Sequence, residues 1–421
     1  IDGDSLATID LSTKSTAAVT LSETAGFKDV TTGTFASFTN SSTGAATLGA
    51  TTSTAGLGTT ATFAGGSGVD KVSFGAQTKA QTLGAGNDTA YLTGAALGTG
   101  GSIDAGAGTD TLGLTTANAV TASANELFSA TVSNFEKLDI GATAATGTIN
   151  LANLDNISTI NISGAVGHAI VLDSLADGAT TTITTSATAA VTHTLESSSG
   201  SSDKLNLVIK GTAAVTGGEQ NMANTEIITI NSDDSDSTTT DTDIVHTVNL
   251  DATKATSLTV TGDAGLNIDN TGNVKITTFD ASAVTGSASN VTFASANTTT
   301  TASVSITGGA GADTLTGGAT KDTINGGAGA DTLSSGAGVD TLIGGAGNDT
   351  FQFLTANLAS TDTITGGDGT DDIELTDAAT VVDADFTLAT SIETLTMSNN
   401  ANTVTLGTLA AAAGVVTYTG G

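Results

Sequence analysis

Five aspartates stand nine residues apart in one uninterrupted frame: Asp313, Asp322, Asp331, Asp340 and Asp349. Each is the sixth residue of a nonapeptide; the units from Gly308 to Gln352 read GGAGADTLT, GGATKDTIN, GGAGADTLS, SGAGVDTLI and GGAGNDTFQ. Carboxylates at a fixed interval, each preceded by residues that leave carbonyls uncovered, make an all-oxygen donor set. That suits Ca²⁺, which takes about 6–8 oxygens at about 2.3–2.6 Å in forgiving geometry, and not Mg²⁺, which is smaller and strictly octahedral. The glycines that accompany these carboxylates are Gly309, Gly311, Gly318, Gly327, Gly329, Gly336, Gly338, Gly345 and Gly347. A weaker copy lies nearer the start. Gly65–Ser73 reads GGSGVDKVS and Leu83–Tyr91 reads LGAGNDTAY, which gives Asp70 with Gly66 and Gly68, and Asp88 with Gly84 and Gly86. The nine residues between them put Lys79 where the aspartate would be. In both blocks a partial unit follows the last full one at the same distance: Asp110 after Asp88, with Gly106 and Gly108, and Asp371 after Asp349, with Gly367 and Gly369. The parallel suggests a duplicated module.

These side chains need elements that bring them together. Glycine at positions one, two and four permits a tight turn with positive φ, and the last three residues of each unit form a short strand whose central, eighth residue points inward. Leu315, Ile324, Leu333, Leu342 and Phe351 hold that position. Two units then make one full coil. Asp313, Asp331 and Asp349 line one edge, and Asp322 with Asp340 the other. Stacked strands lie about 4.7–4.9 Å apart, so neighbouring carboxylates repel unless a cation sits between them. The pairs 313/331, 331/349 and 322/340 set a lower bound of three interior sites. In the first block the Asp70 edge can bind calcium and the Lys79 edge cannot. The fold class expected is all-β, a parallel β-roll or β-solenoid with Ca²⁺-binding turns. Its order is a β segment over 1–64, a degenerate block over 65–115, a strand-repeat solenoid over 116–306, the main block over 307–376 and a C-terminal β segment over 377–421.

Elsewhere the chemistry is sparser. The strand-like motifs FEKLDI, TEIITI and IETLTM carry Glu136, Glu226 and Glu393, which are expected to satisfy a recurring turn. Leu250, Leu258, Leu266 and Val274 recur every eight residues, shadowed by Val260, Ile268 and Ile276, and read as short alternating strands. The only helical reading is Ala124–Ala130, and the apolar run Leu409–Val416 reads as a terminal strand. The acidic run Asp233, Asp234, Asp236, Asp241 and Asp243 lacks the glycine of an EF-hand loop and reads as a solvated loop, with an irregular calcium site as the alternative. His168, His193 and His246 are expected at polar surface positions. No HExxH or GxSxG motif occurs, there is no Cys nucleophile, and aromatics are 3 % of the chain, too few for a sugar-binding carboxylate cleft. A non-enzyme is expected.

The balance of 42 Asp+Glu against 10 Lys+Arg, all ten of them Lys, gives a net charge of −32 and excludes phosphate-mediated nucleic-acid binding. With 53 Gly, no Pro, no Cys and no Trp, the chain suits thin, closely stacked layers and cannot form a disulfide framework. No stretch reaches the ~20 apolar residues of a membrane span. The chain starts at Ile1 with no charged leader, and so looks processed or cut from a longer one.

The tandem units resemble RTX proteins exported by type I secretion. The flanking Ala/Thr/Gly/Ser-rich strand repeats resemble the C-terminal, lattice-forming part of Caulobacter-type surface-layer proteins. This resemblance implies a secreted, cell-surface structural protein that leaves the cell unfolded, folds on binding Ca²⁺ outside and self-assembles into a two-dimensional lattice of copies of itself. Contact with lipopolysaccharide, if made, would run through an anchor outside this chain. The alternative is a calcium-stiffened extracellular adhesin or matrix protein.

Overall fold

A computed structural model describes residues 8–10, 19–21, 37–40, 44–48, 57–235, 244–297, 302–378, 380–398 and 402–420. The chain divides into two compact units, Ile1–Ser197 and Ser198–Gly421. Each is a parallel β-solenoid, in which short strands pair in register with the strand one coil earlier and one coil later.

In the second unit one face is built from the strands Thr278–Val284, Ser305–Thr307, Thr323–Ala328, Thr341–Ala346 and Thr363–Asp368. The other is built from Val291–Ala294, Thr314–Gly318, Thr332–Gly336, Thr350–Phe353, Asp372–Leu375 and Thr394–Met397. Across the nonapeptides the register advances by two units per coil, Thr314 pairing with Thr332 and that with Thr350, while Thr323 pairs with Thr341. Just beyond, the step lengthens, from Thr350 to Asp372 and from Thr341 to Thr363. Two nonapeptides therefore make one coil, and the partial units are coils with a longer return.

The alternation of the sequence explains the core. Apolar residues at every second position face inward and stack in columns, with threonine on the outer face supplying β-propensity. Leu315, Leu333, Phe351, Ile373 and Leu395 form one fully buried column and Ile306, Ile324, Leu342 and Ile364 the other. Phe279 and Phe293 stack at a centroid distance of 4.0 Å on the block's leading side.

The first unit repeats the plan. Lys71–Phe74, Thr89–Leu92, Thr111–Gly113 and Lys137–Asp139 pair in sequence, each step longer than the one before: Lys71 to Thr89, Thr89 to Thr111, Thr111 to Lys137. Val72, Ala90, Leu112 and Leu138 are its buried column.

Local expectations fail in three places. The helix lies at Thr116–Ser123 and not at 124–130, because the Thr115 hydroxyl caps it by accepting the Asn118 N–H at 3.2 Å, whereas Leu127 is 72 % exposed and faces no core. The run Leu409–Val416 begins as the helix Thr408–Ala413, favoured by its consecutive alanines and by the Asp383 carboxylate, which accepts N–H bonds from Leu409 and Ala410. Strand resumes only at Thr417–Thr419. Val274 sits in a turn and is 38 % exposed, not in a strand as expected, whereas Leu250, Leu258 and Leu266 lie in strands and are fully buried.

Candidate metal centre

Each repeat aspartate closes a glycine turn and opens a strand, so the parallel register stacks the carboxylates as strictly as the core. One oxygen of each is committed to the backbone. Asp331 Oδ1 accepts the Asp313 N–H at 2.8 Å, Asp349 Oδ1 that of Asp331 at 2.9 Å and Asp371 Oδ1 that of Asp349 at 2.9 Å. On the other edge Asp340 accepts from Asp322 at 2.8 Å, and Asp362 from Asp340 at 3.0 Å. In the first unit Asp88 accepts from Asp70 at 2.7 Å and Asp110 from Asp88 at 2.6 Å. The ladder holds every carboxylate in one orientation.

The second oxygen is the informative one. Oδ2 of Asp70, Asp88, Asp110, Asp331, Asp340, Asp349 and Asp371 is buried without a hydrogen-bond partner. A buried anionic oxygen left bare is costly, and a cation relieves that cost. The space beside these atoms is kept by the first glycine of the unit. A Cβ on Gly326 would stand against Asp331 Oδ2 and the Gly344 carbonyl oxygen, and one on Gly344 against Asp349 Oδ2 and the Gly366 carbonyl. Asp313 and Asp322, the first of their columns, instead bond their Oδ2 to the N–H of Gly309 and Gly318 at 2.6 and 2.7 Å.

The glycines at positions two and four pack differently. The carbonyl oxygen of each lies where the Cβ of its counterpart one coil on would stand. In this way Gly309, Gly327, Gly345 and Gly367 form one file, and Gly311, Gly329, Gly347 and Gly369 a second. Gly318 faces Gly336, the Thr320 carbonyl faces Gly338, and the first unit has the files Gly66, Gly84, Gly106 and Gly68, Gly86, Gly108. At Gly345 and Gly347 both the close approach and the backbone, with φ of 115° and 133°, require glycine. The orphaned oxygens, the convergent carbonyls and the hard donor set all fit Ca²⁺.

Burial pushes the carboxyls up, against the amide hydrogen bonds that favour the charged form. Asp331 and Asp88 rise to about 7 and Asp313 to about 6. Asp70, Asp110, Asp340, Asp349 and Asp371 move in the same direction, burial again being the main cause, and all but Asp70 are pushed further by neighbouring carboxylates. Without a cation Asp331 and Asp88 are poised near protonation at neutral pH.

On the Lys79 edge a neutral side chain takes the ladder's place. Gln81 Oε1 accepts the Phe63 N–H at 2.6 Å, while its Nε2 donates to the carbonyls of Ala61 and Lys79, each at 3.0 Å.

Sequence reasoning missed several participants. Asp362 continues the Asp340 column; the same lengthened step that exposed Asp371 would have found it, but no glycine pair precedes it. The first-position glycines Gly308, Gly317, Gly326, Gly344 and Gly366 border the Oδ2 atoms of their own aspartates directly. Glu136 and Glu393 do satisfy a turn, their Oε2 accepting the N–H of Asp110 and Asp371, each at 2.8 Å, and Glu226 binds the Asp203 N–H at 3.2 Å.

Two of the three histidines differ from expectation. His246 is fully buried; Nδ1 accepts the Val215 N–H at 2.9 Å and Nε2 lies 3.0 Å from the Asp233 carbonyl, the pattern of a neutral structural imidazole. His193 is also buried, and only His168 is exposed. In the acidic run Asp233 ends the strand Ile227–Asp233 and Asp234 is buried, so neither belongs to a solvated loop. Their carboxylate oxygens and that of Asp263 lie within 4.8 Å of one another, and Lys210 pairs with Asp233 at 2.9 Å. Asp236, Asp241 and Asp243 lie outside the described residues.

Residues 305–333, 316–351 and 359–376 match the family model of the RTX calcium-binding nonapeptide repeat (4 copies). The chain carries RTX calcium-binding repeats. Ca²⁺ is therefore the cation of the matched turns, and the matched range takes in the coil that bears Asp362 and Asp371. A search of curated proteins finds no match to the chain. Among the described residues no helix is long and apolar enough to cross a membrane.

Proposed function

We propose that this chain is a secreted structural protein of a bacterial surface layer, which folds as its RTX turns fill with Ca²⁺ outside the cell and then self-assembles into a two-dimensional lattice. The observation that carries the reading is the set of stacked carboxylates whose second oxygens are buried and bare, because such a fold is unfavourable until a cation arrives. Ions are assigned between Asp313 and Asp331, Asp331 and Asp349, Asp349 and Asp371, Asp322 and Asp340, and, in the first unit, between Asp70 and Asp88. Extracellular calcium modules bind at about 10⁻⁴–10⁻³ M, so the sites are empty in the cytosol and filled outside. Metal binding coupled to folding keeps the chain export-competent until then.

The lattice part of the reading draws on the net charge of −32, which opposes close packing of copies unless a divalent cation bridges them. It also draws on the composition shared with surface-layer proteins. No catalytic role is assigned.

Electron microscopy of the purified chain tests this, with Ca²⁺ raised from chelator conditions to millimolar and Mg²⁺ as the control. Ordered sheets with Ca²⁺ alone support the lattice. Folded, dispersed monomers contradict it and favour a calcium-stiffened adhesin.

A further inference from the structure

The aspartate column of the main block does not stop at its last aspartate. Asp371 is fully buried, its Oδ2 has no hydrogen-bond partner, and its N–H goes to Glu393 Oε2 at 2.8 Å. Glu393 holds the register of an aspartate, since Asp372 pairs with Thr394 as Thr350 pairs with Asp372. Its coil has no glycine turn; Leu388–Ile392 reads LATSI. In this coil a glutamate delivers the carboxylate to the amide one coil earlier, as the aspartates do in the coils before it.

The surroundings repeat too. Within the block, the space beside each first-position glycine is bordered by that unit's Asp Oδ2 and by a carbonyl oxygen of the next coil: Asp331 Oδ2 with the Gly344 carbonyl at Gly326, Asp349 Oδ2 with the Gly366 carbonyl at Gly344. At Gly366 the pair is Asp371 Oδ2 and the Ser391 carbonyl, two residues before Glu393. The donors seen between aspartate coils therefore recur where the block meets a coil that is not a nonapeptide.

We propose that a Ca²⁺ ion binds between Asp371 and Glu393, with Asp371 Oδ2, the Ser391 carbonyl and the Glu393 carboxylate as protein ligands, and that it ties the folding of Thr394–Met397 to calcium. The inference rests on the calcium reading of the block. The first unit supplies an internal contrast. Glu136 meets the Asp110 N–H in the same way, but the residue five before Asp110 is Ala105, in register with Gly65 two coils earlier, and not a glycine. No ion is assigned there.

The test is the number of ions bound by the full chain, measured by equilibrium dialysis with radiolabelled Ca²⁺ for wild type, Glu393→Gln and Glu136→Gln. Glutamine still offers an oxygen to the Asp371 N–H, so the coil stays placed. The expected result is the loss of one ion per chain in E393Q and none in E136Q. Hydrogen exchange in saturating Ca²⁺ gives a second readout: Thr394–Met397 loses protection in E393Q while Thr332–Gly336 keeps it. Wild-type stoichiometry in E393Q, or an equal loss in E136Q, overturns the inference and leaves the calcium reading standing. A wild-type chain that binds no Ca²⁺ overturns both.

Discussion

The two repeat blocks share the ladder in which a side-chain oxygen accepts the amide one coil earlier, yet they differ in what surrounds it. In the main block both edges are acidic, and glycine stands five residues before every column aspartate except Asp340, where Ser335 places a hydroxyl beside the carboxylate, and Asp362, where Asn357 stands. In the first block one edge is acidic, and Gln81 serves the other with a neutral amide whose oxygen and nitrogen are both bonded. On its acidic edge only Gly65 is open; Leu83 and Ala105 stand at the equivalent positions above it and carry side chains. The contrast separates two roles of the aspartate. Holding the backbone needs only an acceptor, which an amide provides. Leaving a charged, buried oxygen bare is costly, and a cation beside it relieves that cost.

Removing calcium should separate the blocks most. In chelator at pH 7, hydrogen exchange is expected to show Thr314–Phe353 losing protection almost completely and the Gln81 edge of the first block losing much less. Equal loss in both blocks would remove the distinction.

A smaller effect comes from dissecting one rung. Asp331→Ala deletes both the metal ligand and the acceptor of the Asp313 N–H, orphaning a buried amide at a cost of about 1–3 kcal/mol. Asp331→Asn keeps the acceptor and removes the charge. Denaturant titration in chelator should therefore find D331A less stable than wild type and D331N at least as stable, whereas in millimolar Ca²⁺ both fall below wild type.

Acidity should invert the role of these carboxyls. Their folded pKa values, raised from 3.8 to about 7 at Asp331 and Asp88, mean that the folded chain holds more protons than the unfolded one between those limits. Their contribution to the metal-free fold is fully present below the unfolded pKa and is lost as pH rises through the folded value. The chelated chain should melt highest near pH 4 and lowest above pH 7. The calcium-loaded chain should show the opposite trend over the same window, because protons compete with the metal.

The smallest change expected is a gain. Ala105→Gly opens the space beside Asp110 at a backbone cost of about 0.5–1 kcal/mol, and dialysis should find one further ion bound weakly in the first unit. An unchanged stoichiometry would mean that the methyl group is not what keeps an ion out.

What was legible in the sequence was whatever the repeat frame encodes. The coil of two nonapeptides, the two edges and the inward eighth residue follow from a fixed spacing of Asp, Gly and Leu, and register carries that spacing directly into space. Asp362 escaped because a longer return replaces its glycine turn, although its register with Asp340 is unchanged. Glu393 escaped as a column member because it is not an aspartate and no glycine turn precedes it. His246 looked like a surface residue because a lone histidine carries no spacing signal; in the fold it is held by a carbonyl 13 residues and an amide 31 residues away in the chain. The helix Thr408–Ala413 was signalled by its consecutive alanines, but the run is short and apolar, and Asp383, whose carboxylate accepts its first amides, stands too far back in the chain to mark its start.

Site-resolved hydrogen exchange of the Asp313, Asp331 and Asp349 amides at pH 7, in chelator, in millimolar Mg²⁺ and in millimolar Ca²⁺, addresses the central claim most directly. These are the amides held by the carboxylates whose other oxygens are bare. Strong protection in Ca²⁺ alone is the result predicted; protection that is the same in chelator would contradict the claim that calcium between the stacked carboxylates is what makes this solenoid fold.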